Sequence, residues 1–252
     1  IQWHSAPIWR RLLPRPMKTS KKFAVSAAII DPISVKAFGR PAMSDPTGQR
    51  SNRPLRPAWL EVDLSQMAKN FQLIRADASS SLAIGSVVKD AGYGHGAVEV
   101  ARVALAHGVC CLLVSNLDEA AELRDAGLKA PILLMGERME SELPACLELG
   151  LPLAVGHVQI AEAASRLAVS LGQQLKVHVK IDTGMGRYGA HWDVALELVN
   201  TVAVLPGLRL DGMFSHFSMS DELDKSFARE QIRRFLCVCD TVQQAGLTVG
   251  CR

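Results

Sequence analysis

The chain has 252 residues, of which 48% are hydrophobic and 21% are charged, a composition typical of a folded globular protein rather than a disordered or fibrous one. Its formal net charge of +3 comes partly from the first fifty residues, so the charge balance gives no reason to expect a nucleic-acid partner. No apolar stretch reaches the roughly 20 residues that span a bilayer, and the six cysteines lack zinc-site spacing, so we expect a soluble cytoplasmic chain with reduced thiols, no membrane partner and no metal.

Residues 1–53 differ from the rest because they hold ten Lys or Arg and only two acidic residues. We interpret this segment as a basic, disordered extension and place a single barrel domain at residues 54–252. Two alternatives stay open: a targeting peptide, or translated sequence upstream of a true start at Met17 or Met43.

From Pro57 onward, short apolar runs alternate with amphipathic stretches, which is typical of βα units around a parallel sheet. This pattern predicts an α/β fold of the (β/α)8 barrel type. The predicted strands are Trp59 to Asp63, Leu82 to Val88, Cys110 to Val114, Pro131 to Met135, Leu151 to Val155, Leu175 to Ile181 and Leu208 to Phe214. A further strand is expected near Leu247, so close to Arg252 that we expect a sequence cut short within the barrel.

Helices are predicted between these strands. Their apolar residues recur at helical spacing and are expected to face the core, Cys239 included. Two such sets are Ile160, Ala164, Leu167, Ala168 and Leu171, and Ile232, Phe235, Leu236, Cys239 and Val242. Glycines that favour a left-handed C-terminal cap follow the helical patterns, at Gly108, Gly127, Gly150, Gly172 and Gly246.

Chemically versatile residues follow three of the predicted strands. Lys89 follows the strand Leu82 to Val88, and Tyr93 and His95 lie in the glycine-rich turn after it. Arg187 and His216 follow two later strands. Taken singly, Lys89 could be a surface lysine and His216 a satisfied core histidine. Lys180, Asp182 and Arg187 could form an ion network at the rim. Together on one rim they favour carbanion chemistry, in which Lys89 holds pyridoxal phosphate as a Schiff base and later acts as a base.

The segment from Val87 to Gly96, VVKDAGYGHG, resembles the cofactor-lysine signature of the pyridoxal-phosphate alanine racemases. Asp118 to Gly127 with the following Ala130 to Leu133 resembles the family's second and third barrel units. Lys180 to Gly189 resembles its arginine segment and Phe214 to Ser218 its histidine segment. The resemblance covers about residues 57 to 252 with its motifs in order.

The resemblance implies a role for each matched residue. Lys89 would carry the cofactor and act as the base specific for the D enantiomer, and Tyr93 would line the cofactor pocket. Arg187 would contact the phenolic oxygen of the cofactor and the substrate carboxylate, and His216 would lie beside the pyridine ring. Lys180 matches a position that is carbamylated in some members. The whole protein would be a homodimer that supplies D-alanine for peptidoglycan.

Two departures from the family pattern limit these expectations. Asp90, Ala91 and Gly92 stand where the family has a small residue, Asn or Asp, and then Ala, which puts an unexpected carboxylate beside Lys89. The family's C-terminal β domain, with the tyrosine that serves as second base, has no counterpart here, so we expect little racemisation from this chain alone. The alternatives are a non-catalytic pyridoxal-phosphate carrier, or another amino-acid racemase or decarboxylase of the same barrel.

Overall fold

A computed structural model of the chain describes residues 22–26, by their backbone alone, and residues 60–250. The strands are β1 (Lys22–Ser26), β2 (Leu82–Val87), β3 (Val109–Val114), β4 (Ile132–Leu134), β5 (Leu153–Val155), β6 (Leu175–Asp182), β7 (Ala190–His191) and β8 (Leu208–Phe214). The helices are α1 (Leu64–Asp77), α2 (Lys89–Tyr93), α3 (Ala97–Ala106), α4 (Leu117–Asp125), α5 (Leu143–Glu148), α6 (Val158–Ser170), α7 (Ala195–Val204) and α8 (Ser226–Gln244), with a 3-10 turn at Glu140–Glu142.

The strands form two parallel sheets. In one sheet β1 to β4 lie side by side in chain order, and in the other β5 and β8 flank β6. The short β7 pairs with the carboxyl end of β6, and β4 contacts β5 between the two sheets. Because neighbouring strands within each sheet are parallel, their carboxyl ends lie at a common edge, where the following loops can meet.

The core lies between the strands and the helices that follow them. Strand residues that are fully shielded from solvent include Leu112, Val114, Ile132, Leu134, Val155, Val177, Val179 and Ile181. Alanines 161, 164 and 168 of α6 are fully buried as well, and their small side chains allow the helix to approach the sheet closely. Near-continuous Val, Ile and Leu runs are expected for parallel strands that are covered on both faces, and burying one such side chain stabilises the fold by about 1.5–3 kcal/mol.

Most of the predicted elements are confirmed. Leu208 to Phe214 is the predicted strand to the residue, and the five predicted strands from Leu82 to Ile181 agree within two residues at each end. Gly108, Gly127, Gly150, Gly172 and Gly246 each follow a helix with φ between 60° and 89°, the left-handed conformation that favours glycine. Cys239, predicted to pack inside, is 2% exposed.

Three structural expectations are wrong. Leu60 to Asp63 forms no strand, because Asp63 Oδ1 accepts hydrogen bonds from the backbone N–H groups of Ser65 and Gln66 and so caps α1. No strand forms at residues 247–250, where the N–H of Leu247 instead donates to the carbonyl of Val242 at the end of α8. Leu171 is 52% exposed because α6 ends one residue before it.

The predicted N-terminal extension falls largely outside the described residues, as do Trp59, Cys251 and Arg252. Only the backbone of Lys22–Ser26 is described there, paired parallel with β2. The boundary at residue 53 therefore stays a prediction. Within the described part of the chain, the helices are too short or too polar to cross a membrane.

Candidate functional site

The cofactor-lysine candidate lies in an unusual backbone segment. Asp90, Ala91, Gly92 and Tyr93, the last four residues of α2, have φ values between 53° and 63°, so the chain makes a left-handed turn directly after Lys89. A left-handed non-glycine residue costs roughly 1–2 kcal/mol, and such strain clusters at functional sites.

Hydrogen bonds hold this turn in place. The N–H of Gly92 donates to Val88 O at 3.0 Å, and the N–H of Gly94 donates to Asp90 O at 3.0 Å. His95 Nδ1 also donates to Gly92 O at 3.1 Å, which defines its tautomer, since a carbonyl only accepts. His95 thus stabilises the turn through its ring.

Lys89 itself is partly open to solvent. The Lys89 side chain is 32% exposed, and its Nζ lies 2.8 Å from Asp90 Oδ2. The same Nζ lies 5.4 Å from the centroid of the Tyr93 ring. The hydrogen bond that the Lys89 ammonium donates to Asp90 raises the pKa of Lys89 above its usual value, and the negative charge of Glu119 adds to the effect. The amine is accessible, but its immediate environment favours the ammonium form.

Lys180 has the opposite environment. It is 4% exposed, its Nζ donates to Ile181 O at 3.1 Å, and it lies 5.6 Å from the ring centroid of Phe214. Burial lowers the pKa of Lys180 to about 8; Asp182 opposes the change and the positive charge of Arg187 adds to it. Neutral amine is therefore available near physiological pH.

Asp182 organises the loop that leads to Arg187. Its carboxylate accepts hydrogen bonds from the backbone N–H groups of Gly184 and Met185, each at 2.9 Å, and from that of Gly186 at 3.1 and 3.2 Å. Burial alone would raise the pKa of Asp182, but these three donors hold it below its usual value. From the sequence, Asp182 was expected only as part of an ion network at the rim, and its role in binding the loop was not predicted.

The loop after β8 is held by a buried amide that the sequence interpretation missed. Gln231 of α8 is 1% exposed, and its Nε2 donates to His216 O at 3.0 Å and to Thr183 Oγ1 at 3.2 Å. Thr183 Oγ1 also lies 2.7 Å from Ser215 Oγ. The available signal was a polar residue within the apolar stripe of α8.

Residues from the other two predicted strand ends act on His216. Burial lowers the pKa of its imidazole most, and the positive charges of Arg187, Lys180 and Lys89 lower it further, so these three side chains lie within electrostatic reach of His216. The structure thus brings together an accessible amine, a guanidinium, a buried amine and a neutral imidazole. Three cationic groups at one rim suit an anionic ligand, and an accessible lysine suits an aldehyde.

This donor set fits pyridoxal phosphate, which is an aldehyde, a phenol and a phosphate in one molecule. Among residues 60–250, no three or more His, Cys, Asp or Glu side chains are arranged to hold a metal ion. Lys89 could bond to the aldehyde and Arg187 could bind the phenolic oxygen, while Tyr93, 48% exposed, lines the open side.

Comparison with known proteins agrees with this geometry. The model of the alanine racemase N-terminal domain matches residues 62–252. The chain belongs to the alanine racemase family. It is 42% identical over 197 residues to alanine racemase from Desulforamulus reducens, covering 78% of this chain and 53% of that protein. It is 36% identical to the enzyme from Clostridium tetani, covering 79% and 51%.

Solved structures agree with the family assignment. Alanine racemase from Bacillus anthracis with bound L-Ala-P has a TM-score of 0.70 and 32% identity, over 75% of this chain and 49% of that one. The Clostridium difficile 630 enzyme in complex with cycloserine has a TM-score of 0.67 and 30% identity, over 75% and 50%. The predicted family and barrel fold class are therefore confirmed, and the chain spans about half the length of the relatives it matches.

Proposed function

We propose that this chain forms the pyridoxal-phosphate-binding barrel of an enzyme that interconverts L-alanine and D-alanine. The observation that carries the proposal is the placement of Lys89, an accessible amine at the end of β2, in the same electrostatic neighbourhood as Arg187, Lys180 and His216. Family membership supports the choice of alanine as substrate.

The cofactor, when bound through Lys89, supplies the electron sink that makes the α-proton of an amino acid acidic. Lys89 then has two tasks: it holds the cofactor, and once an amino acid has displaced it, its free amine accepts the α-proton from one face. A basic amine is needed for that second task, and the raised pKa of Lys89 is compatible with it.

Arg187 binds the substrate carboxylate and the phenolic oxygen of the cofactor through its planar set of donors. The Asp182 loop sets where Arg187 stands. A carbamylated Lys180 would add a negative charge that orients the guanidinium, and the lowered pKa of this buried amine supports the modification, because only a neutral amine reacts with carbon dioxide.

His216 would pack beside the pyridine ring of the bound cofactor as a neutral group. The nearby cations and its burial lower its pKa, so it brings no additional positive charge to the site. Tyr93 lines the cofactor pocket beside Lys89.

Racemisation requires a proton acceptor on each face of the carbanion, and Lys89 serves one face. We place the second acceptor outside the described residues, in a longer protein that assembles as a homodimer. This protein would act in the cytoplasm and supply D-alanine for peptidoglycan. A carrier of pyridoxal phosphate is the second candidate, because Lys89 and the surrounding cations would suffice to bind the cofactor without turnover.

One experiment separates these functions. Purified protein is mixed with pyridoxal phosphate, the visible absorbance of the Schiff base is recorded, and borohydride reduction followed by peptide mass spectrometry locates the modified lysine. Lys89→Ala should abolish the absorbance, whereas the control Lys176→Ala, an exposed lysine of β6, should retain it. A label on another lysine would contradict the cofactor assignment.

The loaded protein is then incubated with D-alanine or L-alanine in deuterium oxide. A single base at Lys89 should exchange the α-hydrogen of D-alanine even if no racemisation occurs. Absence of exchange with either enantiomer, despite cofactor bound at Lys89, would favour the carrier.

A further inference from the structure

Asp90 is the residue next to Lys89, and its carboxylate contacts the Lys89 amine. Asp90 Oδ2 lies 2.8 Å from Lys89 Nζ. The backbone of Asp90 is left-handed, with φ of 54°, and its N–H donates to Glu119 Oε1 of α4 at 2.8 Å. The strained turn and the link to α4 therefore fix the backbone of Asp90, and from it the side chain, which is 60% exposed, reaches Lys89.

This contact opposes the first task proposed for Lys89, which is to bond to the aldehyde of the cofactor. A lysine bonds to an aldehyde only through the electron pair of its neutral amine, and a carboxylate at hydrogen-bond distance favours the ammonium. The other groups that act on the charge of Lys89 are Tyr93 and Glu119, and across the site the charge of Lys89 acts in turn on the imidazole of His216. The hydrogen bond that Lys89 donates to the Asp90 carboxylate is the largest influence and raises the pKa of Lys89.

We propose that Asp90 is a positioning residue whose carboxylate, 2.8 Å from Nζ, adds to the stability of the Lys89 ammonium before cofactor binds and so raises the pH at which Lys89 bonds readily to an aldehyde. The inference rests on the proposed role of Lys89 as cofactor lysine. In the bonding step Nζ gives one proton to water and its electron pair forms the bond to the aldehyde carbon. The carbonyl oxygen leaves as water with the two hydrogens that remained on Nζ, and the Asp90 carboxylate is released unchanged.

The test measures the protonation of Lys89 without cofactor. Trace labelling with acetic anhydride across a pH series, read by mass spectrometry of the Lys89 peptide, reports the fraction of neutral amine, with the exposed Lys129 as internal standard. Asp90→Asn removes the charge and keeps a residue type that tolerates a left-handed backbone. Asp90→Gly removes the carboxylate and relieves the strain, so it covers the case in which the first variant folds poorly.

In both variants the midpoint pH of Lys89 labelling should fall, and labelling at pH 7 should rise about two- to fivefold, as expected when a partly exposed ion pair is removed. The rate at which the visible absorbance with pyridoxal phosphate appears should rise by a similar factor. Asp118→Asn, an exposed carboxylate of α4, should match the unaltered chain in both measurements.

An unchanged labelling midpoint in both Asp90 variants would overturn the inference even if the cofactor binds. By contrast, if neither the unaltered chain nor the variants bind pyridoxal phosphate at Lys89, the proposed function fails, while the labelling series still reports on Asp90.

Discussion

The side-chain amide of Gln231 donates to the main-chain oxygen of His216 at 3.0 Å and so ties helix α8 to the loop after β8. The side-chain oxygen of Gln231, Oε1, accepts a hydrogen bond from the N–H of Ser218 at 3.0 Å. Because Gln231 is 1% exposed, water cannot replace it without entering the core. The position of the imidazole therefore depends on a residue that need not touch any ligand.

Gln231→Leu should lower the free energy of unfolding by about 1–3 kcal/mol, since it leaves buried donors and acceptors of the β8 loop unpaired. Urea unfolding followed by circular dichroism measures the change. Gln243→Leu serves as the control, because Gln243 is exposed on the same helix and its loss should change stability by less than about 0.5 kcal/mol. Equal stability of the two variants would contradict the assigned role of Gln231.

Gly189 and Lys180 approach each other so closely that only glycine fits. A Cβ at Gly189 would lie 2.8 Å from both the Cγ and the carbonyl oxygen of Lys180, and its φ is 114°. Gly189→Ala should therefore destabilise the fold by at least about 2 kcal/mol through overpacking and backbone strain. Chemical denaturation provides the measurement.

Gly172→Ala is the matched control for this steric prediction. Gly172 also has a positive φ, of 60°, but nothing lies within 4 Å of an added Cβ. Its substitution should cost only the left-handed backbone term of roughly 1–2 kcal/mol. If Gly189→Ala proved no more damaging than Gly172→Ala, the close approach to Lys180 would be refuted.

The buried Lys180 predicts a particular pH dependence of stability. Its pKa in the folded state is about 8, below its ordinary value of 10.5, so between these values the unfolded chain binds more protons than the folded chain. The free energy of unfolding should therefore rise as pH increases through this window, by up to about 3 kcal/mol from this group.

Lys180→Met should abolish that rise, and the comparison is made by urea titration at several pH values in buffer free of carbon dioxide. With ¹³C-labelled carbon dioxide, a carbamate resonance should appear in the unaltered chain, grow with pH as the amine becomes neutral, and vanish in Lys180→Met. A pH slope that survives the substitution would show that another group causes it.

Removal of the Asp182 carboxylate should release the loop before Arg187. In Asp182→Ala, amide hydrogen exchange at Gly184, Met185 and Gly186 should accelerate about tenfold or more, because charge-assisted bonds of roughly 1.5–3 kcal/mol are lost. Exchange is followed by mass spectrometry. Asp221→Ala, an exposed carboxylate in another loop, should leave these amides unchanged, and unaltered exchange in Asp182→Ala would argue against the loop's dependence on it.

Local patterns in the sequence were sufficient to predict most of the strands and several helix ends. The apolar runs of β2 and β5 marked the strands because strands covered on both faces are continuously apolar, and Gly127 marked the end of α4 because few other residues adopt a left-handed cap. Leu60 to Asp63 was wrongly predicted as a strand because of its apolar residues, whereas Asp63 caps the N-terminus of α1 there.

The sequence by itself determined the family, the βα order and the identity of Lys89, Arg187 and His216 as candidates, since these follow from short-range motifs and strand ends. Only the tertiary structure decided that Lys180 is buried, that Asp182 shapes a loop and that Gln231 reaches His216. Gln231 lies 48 residues from Thr183, which its amide also contacts. Such contacts depend on how distant elements pack, and no local pattern of residues encodes that packing.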